Sequence, residues 1–170
     1  MRRLIFLATA VLIFASANYT IAEREQLLAE GRIVLLELAP VDPRSLMQGD
    51  YMALRFKVAD DAFPRTPARD LRATDGRLVL ALDPRGVGSF RRLDDGKPLA
   101  AGEIRMRYRI RNGAPKLATN AFFFQEGHAR YYEGARFGEL RVSAGGEAIL
   151  TGLRGKDLEP LAPPRGADSR

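Results

Sequence analysis

The chain has no cysteine. Disulfide stapling, thiol catalysis and cysteine metal sites are excluded, and the fold must stand on packing. Histidine is nearly as scarce, His128 being the only one, and lysine occurs only as Lys57, Lys97, Lys116 and Lys156. A further absence is local: from Leu4 to Ala22 no side chain carries a charge. As a helix, these 19 residues would span about 28 Å at 1.5 Å each, close to a hydrocarbon core of roughly 30 Å. Arg2 and Arg3 stand in front of the stretch. Positive flanks stay cytoplasmic, which places everything after Ala22 on the far side of the membrane.

Two versions of this segment fit the residues. The stretch Leu4–Phe14 is short, and Ala15-Ser16-Ala17 is an A-x-A site, as in a cleaved secretory signal. Alternatively the helix runs on through Asn18, Tyr19 and Ile21 into 23–31 and stays as an anchor. Tyr19 then occupies an interfacial aromatic position and Gly31 acts as a glycine stop. A buried core helix fits poorly with an N-terminal segment led by arginines.

The remainder has the makings of one domain. In 170 residues, 46% apolar content supports a sizeable core and 28% charged content an ordinary soluble surface. The net charge is +6 and the isoelectric point about 10.0, which invites a nucleic-acid reading. The basic residues are spread along the chain rather than gathered in one block, and the leader points away from the compartment that holds nucleic acid. No nucleic-acid partner is therefore expected; an anionic membrane surface is better placed.

Short strands spaced by turns dominate the pattern. Arg32–Leu38 reads as a strand, apolar on both faces apart from Glu37. Ala39–Gly49 carries Pro40 and Pro43 and ends in a turn at Gln48-Gly49-Asp50, after which Tyr51–Val58 reads as the next strand. Residues 62–70, with Pro64 and Pro67, read as a surface loop. Asp75-Gly76 reads as a hairpin turn joining 71–74 to Arg77–Leu82. Asp83–Gly86 turns the chain into Val87–Leu93, and Asp94-Asp95-Gly96 leads past Pro98 to Glu103–Arg111. That segment alternates cleanly, with Ile104, Met106, Tyr108 and Ile110 on one face and Arg105, Arg107, Arg109 and Arg111 on the other. Asn112-Gly113 is another turn, and Glu126–Arg136 reads as a short helix. Residues 138–143 and 147–153 form a closing hairpin. Residues 159–170 read as a disordered tail. The expected architecture is mainly β: a small barrel or sandwich of short antiparallel strands with one or two minor helices. Residues 1–31 precede it as a transmembrane or signal helix, and 32–158 form the extracytoplasmic domain.

Within this frame, Gly49, Asp50, Tyr51, Leu54 and Phe56 resemble the signature of the GDYXXLXY protein family, with Phe56 where the signature ends in tyrosine. The run Phe122–Arg130 is similar to the family's second landmark, an aromatic stretch ending in Glu126-Gly127, and the closing hairpin also fits. The resemblance implies a bacterial family of small membrane-anchored proteins, often found beside a multipass membrane protein. It tips the N-terminus toward a retained anchor in the inner membrane, with the C-terminal domain in the periplasm, and implies no reaction. The motif needs no chemistry to explain it. The expectation is that Gly49 can supply turn freedom and Asp50 can bond backbone N–H groups of the turn, with Tyr51 starting a strand and Leu54 and Phe56 sharing a core face.

Candidate chemistry is thin. His128 lies near Glu126 and Glu133, but positions two apart on a helix do not share a face, and a metal site would need further ligands. A surface or packing histidine is the expectation, with no metal and no cofactor. Ser45–Asp50 resembles the turn after the nucleophile in membrane signal peptidases, yet Val41 stands where their serine lies and no lysine is suitably placed. No enzyme is expected. Arg105, Arg107, Arg109 and Arg111 would span roughly 20 Å of one strand face, at a pitch able to grip lipid phosphates or an acidic surface. The competing reading pairs them with acids on neighbouring strands, and it is the stronger. Three consecutive phenylalanines, Phe122 to Phe124, cannot all face one side of a strand, so at least one points away from the core. The functional expectation is a non-enzymatic anchored domain that binds an envelope component such as an integral membrane protein. A secreted periplasmic domain that binds an anionic ligand or lipid headgroup is the alternative.

Overall fold

The computed structural model describes residues 2–39, 47–48, 51–64 and 72–164. Helix α1 runs unbroken from Arg2 to Glu30, through the A-x-A site. Its polar side chains turn back on its own carbonyls. Ser16 Oγ donates to the Ile13 carbonyl (2.8 Å), Asn18 Nδ2 to Phe14 (2.8 Å) and Thr20 Oγ1 to Ser16 (3.0 Å). Such local bonds satisfy these three polar groups within the helix. Leu27 is its only residue described as buried.

Beyond Gly31 the chain is mainly β. Among the described residues an eight-stranded mixed sheet and a three-stranded sheet share one apolar core, sandwich-like and with no closed barrel. The large sheet is built from β1 (Arg32–Glu37), β4 (Thr74–Leu82), β5 (Val87–Leu93), β6 (Glu103–Arg111), β7 (Ala114–Leu117), β9 (Phe137–Val142), β10 (Ala148–Arg154) and β11 (Pro160–Leu161). Its order is β11-β10-β9-β1-β5-β4-β6-β7. The small sheet orders β2 (Met47–Gln48), β3 (Tyr51–Ala53) and β8 (Ala121–Phe123). Among the described pairings, β1 with β5 alone is parallel, so the expectation of antiparallel strands holds everywhere else. Val34, Leu36, Leu78, Leu80, Met106 and Leu140 are completely buried between the layers.

The cleanest alternation in the sequence survives intact. β6 buries Ile104, Met106, Tyr108 and Ile110 and turns its arginines outward. Asn112 (φ 53°) and Gly113 (φ 69°) form the tight turn into β7, the two positive φ values that a primed hairpin turn demands. The Asp83–Gly86 turn is held by the Asp83 carboxylate, which accepts the backbone N–H groups of Arg85 and Val87 at 2.8 Å each.

Four local readings are corrected. Asp75-Gly76 is not a turn but lies inside β4, paired with Arg109 and Tyr108 of β6. Glycine is needed there for clearance, since a Cβ on Gly76 would sit 2.6 Å from Tyr108 Oη. The strand expected over Tyr51–Val58 stops at Ala53. Phe56 makes an isolated bridge to Leu38, and Lys57–Ala62 forms helix α2, which turns Val58 and Ala59 into the core. The helix expected over Glu126–Arg136 is a 3-10 turn, Ala129–Tyr131, amid i to i+3 bonds such as His128 N–H to Gln125 O. Gly127, at φ 79°, stands outside helical geometry. Finally, Pro160–Leu161 pairs with β10 as β11, so the sheet continues past residue 159 where a disordered tail was expected. The Arg154 guanidinium donates to Leu158 O at 2.7 Å and folds that connection back.

Clearance at Gly76 is testable. Tyr108 is pinned edge-on against Phe63, ring centroids 4.8 Å apart, so it has little freedom to give way. Gly76→Ala is expected to cost about 1–3 kcal/mol through overpacking. Gly152→Ala, where a Cβ meets nothing within 4 Å, is expected to be neutral or slightly stabilising. Chemical denaturation of both variants in detergent checks the contrast; equal midpoints would refute it.

Candidate functional site

Two regions present groups to the outside. The larger is a groove of about 1100 Å³ at the foot of α1. The last two turns of the helix form one wall, the outer face of β6 the other, and the β9–β10 turn closes one end. That turn is docked by the Arg107 N–H donating to Gly146 O (2.8 Å) and by Arg77 Nε donating to Gly145 O (3.0 Å). Five arginines line the groove, Arg24, Arg32, Arg105, Arg107 and Arg109, against three glutamates, Glu23, Glu30 and Glu147.

These arginines are not equivalent. Arg105 Nε lies 2.9 Å from Asp94 Oδ2 and its Nη2 donates to the Lys97 carbonyl at 2.8 Å. Arg107 is bonded to Glu147 and stands 3.6 Å from Asp75. Arg111, outside the groove, lies 2.7 Å from Asp75. Three members of the row are therefore engaged with acids, Asp75 on the neighbouring β4 and Asp94 and Glu147 in connections between strands. Arg109 is exposed and makes no ion pair with any described residue, and the same holds for Arg24 and Arg32. Arg24 and Arg32 were missed by the row-based reading. The signal was available: Arg24 is the first cation after the uncharged stretch and Arg32 opens β1.

The second region is the motif itself. Gly49 and Asp50 lie outside the described residues. Tyr51 opens β3, while Leu54 and Phe56 are 5% and 2% exposed and belong to the core. A cavity of about 240 Å³ beside them is bordered by Arg55 and Asp60, ion-paired at 3.0 Å. Phe122 and Phe124 pack on Tyr132, whereas Phe123 is 74% exposed and meets Tyr51, centroids 5.8 Å apart. Phe123 is thus the phenylalanine that points away from the core. Burial pushes the Tyr132 phenol up from its ordinary pKa.

Glu126 and Gly127 are exposed, and the His128 ring stands edge-on to Tyr131 at 5.5 Å. Among the described residues no three His, Asp or Glu side chains gather closely enough to hold a metal.

The hydrogen bond from Arg111 holds the Asp75 carboxyl below the usual carboxylate range, with Arg107 and Arg109 adding to the effect. A lowered folded-state pKa stabilises the fold above the unfolded value, and that stability is lost as pH falls through the folded value. Asp75 is expected to titrate by NMR below the ordinary value of about 3.9. Arg111→Gln is expected to move the midpoint back up, and an unmoved midpoint would refute the pairing in solution.

Neither the curated proteins nor the solved structures compared with this chain gave a match. The model of one protein family, described as GDYXXLXY protein, matches residues 13–153. That span takes in the end of α1, the motif strand, the aromatic stretch and the closing hairpin, and on it the chain belongs to the GDYXXLXY family.

Proposed function

We propose that the protein is a membrane-anchored extracytoplasmic domain without a reaction of its own, which binds another component of the cell envelope. An integral membrane protein is the partner that best suits it. The observation carrying this reading is α1, one helix long and apolar enough to cross a membrane. Its large apolar side chains from Ile5 to Ile21 are 55–71% exposed. The domain does not use them as core, and lipid or the helices of a partner would cover them. The hydroxyl and amide groups of Ser16, Asn18 and Thr20 are satisfied within the helix, as a hydrocarbon environment requires.

Charge placement supports the same reading. No acid lies in the first turn of α1 and no base in its last. Arg2 and Arg3 stand at the positive end of the helix dipole and Glu30 at the negative end. In water this arrangement opposes helix formation. It is, however, the arrangement that retains arginines on the cytoplasmic side of a membrane. On the domain, Phe123 beside Tyr51 adds an exposed apolar spot on the small sheet.

A reporter fused to the C-terminus and active only outside the cytoplasm is expected to be active. Activity of a cytosolic reporter instead would sink the proposal. The full-length chain is expected to leave membranes only with detergent and at unchanged mass; release at a mass lacking Met1–Ala17 would favour the secreted, anion-binding domain. Crosslinking in intact membranes is expected to capture an integral membrane protein, and capture of soluble proteins alone would remove that partner class.

A further inference from the structure

We propose that the groove at the foot of α1 holds the phosphate of a membrane phospholipid headgroup, clamped by Arg24, Arg32 and Arg109. This rests on the anchored reading above and adds a ligand to it. The depth agrees. If the uncharged stretch ending at Ala22 fills the hydrocarbon core, Glu30 stands eight residues beyond it, or about 12 Å at 1.5 Å each. The headgroup layer occupies roughly 5–8 Å on each side of the core. The α1 wall of the groove, Glu23 to Glu30, therefore begins at the hydrocarbon edge and runs out through the phosphate level.

The charge state agrees as well. Arg105 and Arg107 meet their acids within the fold, so they shape the groove wall without offering free charge. Arg24, Arg32 and Arg109 face the same space without an ion pair to any described residue. Three arginines drawn from three elements, α1, β1 and β6, line this one groove. A phosphate accepts several such forked donors at once. Glu23 and Glu30 share the groove and oppose the anion, and Glu30 already accepts a hydrogen bond from Gln26 at 2.9 Å. Their presence sets the site for a single phosphate rather than a polyanion. The headgroup would then hold the β domain against the membrane at a second point, beside the helix.

The test uses the full-length protein in a non-ionic detergent, with retained lipid read by native mass spectrometry. Phosphatidylglycerol and a diacylglycerol with the same acyl chains are the probes. Wild type is expected to retain phosphatidylglycerol one to one and not diacylglycerol. The triple variant Arg24→Gln, Arg32→Gln, Arg109→Gln is expected to retain it about tenfold less or weaker still, having lost its charge-assisted bonds. Arg85→Gln, outside the groove and bound to Asp83, is expected to behave as wild type. Glu23→Gln with Glu30→Gln is expected to strengthen retention, a gain that misfolding cannot produce. Equal retention by wild type and the triple variant, or equal retention of diacylglycerol, would overturn the proposal. Displacement by excess inorganic phosphate would assign the groove to a soluble anion and overturn the lipid. Membrane association through an alkaline wash is read separately on the same variants. Its loss in wild type would remove the anchored reading itself, whereas its persistence in the triple variant alongside lost lipid retention separates anchor from groove.

Discussion

The junction between α1 and β9 governs how the rest of the molecule is presented. Leu27 is the one described side chain of α1 that is buried. The Gly31 N–H donates to the Leu27 carbonyl at 2.9 Å, and the Arg141 guanidinium of β9 donates to the Gly31 carbonyl at 3.0 Å. A Cβ on Gly31 would clash with the Leu27 carbonyl oxygen and meet the Leu27 side chain at 2.9 Å and Arg141 Cβ at 3.1 Å. Glycine therefore lets the helix end pass directly over β9 and enter β1 at the next residue. No spacer intervenes between helix and sheet, so the direction of α1 and the face the domain turns toward the helix foot are set together.

The domain beneath this junction is held by burial, with ion pairs around its rim. Its core is entirely apolar among the described residues, and no buried polar side-chain atom there lacks a partner. Phe56 shows how tight the packing is. Its ring lies where a Cβ on Gly138 would stand, 2.8 Å from Cε1. The segment after β3 thus uses a large ring against a residue without a side chain to bring α2 onto the large sheet. A phenyl ring, with no hydroxyl to satisfy, fills that buried position by shape.

Periodicity made part of this architecture legible. β5 and β6 are readable to the residue, β5 from its flanking Asp and Gly turns and β6 from its alternation as well. Asp75-Gly76 was misleading because the same dipeptide serves two purposes. A glycine that frees a turn and a glycine that admits a neighbouring tyrosine look alike until Tyr108 is seen across the strand pair. α2 was hidden for a related reason. Lys57–Ala62 is too short for a helical period to show, and its burial depends on sheets distant in sequence. The parallel β1–β5 pairing and the late strand β11 are likewise decided by tertiary contacts that no local pattern encodes. For the site, the arginine face of β6 was legible, but the separation of Arg109 from its engaged neighbours was not. It depends on where Asp75, Asp94 and Glu147 fall in space.

That separation gives the arginine row a division of labour. Like charges at every second position of a strand repel, and a strand carrying four of them needs acids nearby. Asp94 and Asp75 come from the neighbouring β5–β6 connection and β4, and Glu147 from the β9–β10 turn, so three arginines also tie distant parts of the chain to β6. Glu147 matters most for the groove, because its bond to Arg107 helps dock the turn that closes one end. The engaged arginines are thus part of the fold, and the groove's other arginines come from α1, β1 and β6. A basic surface assembled this way depends on the helix junction as much as on β6.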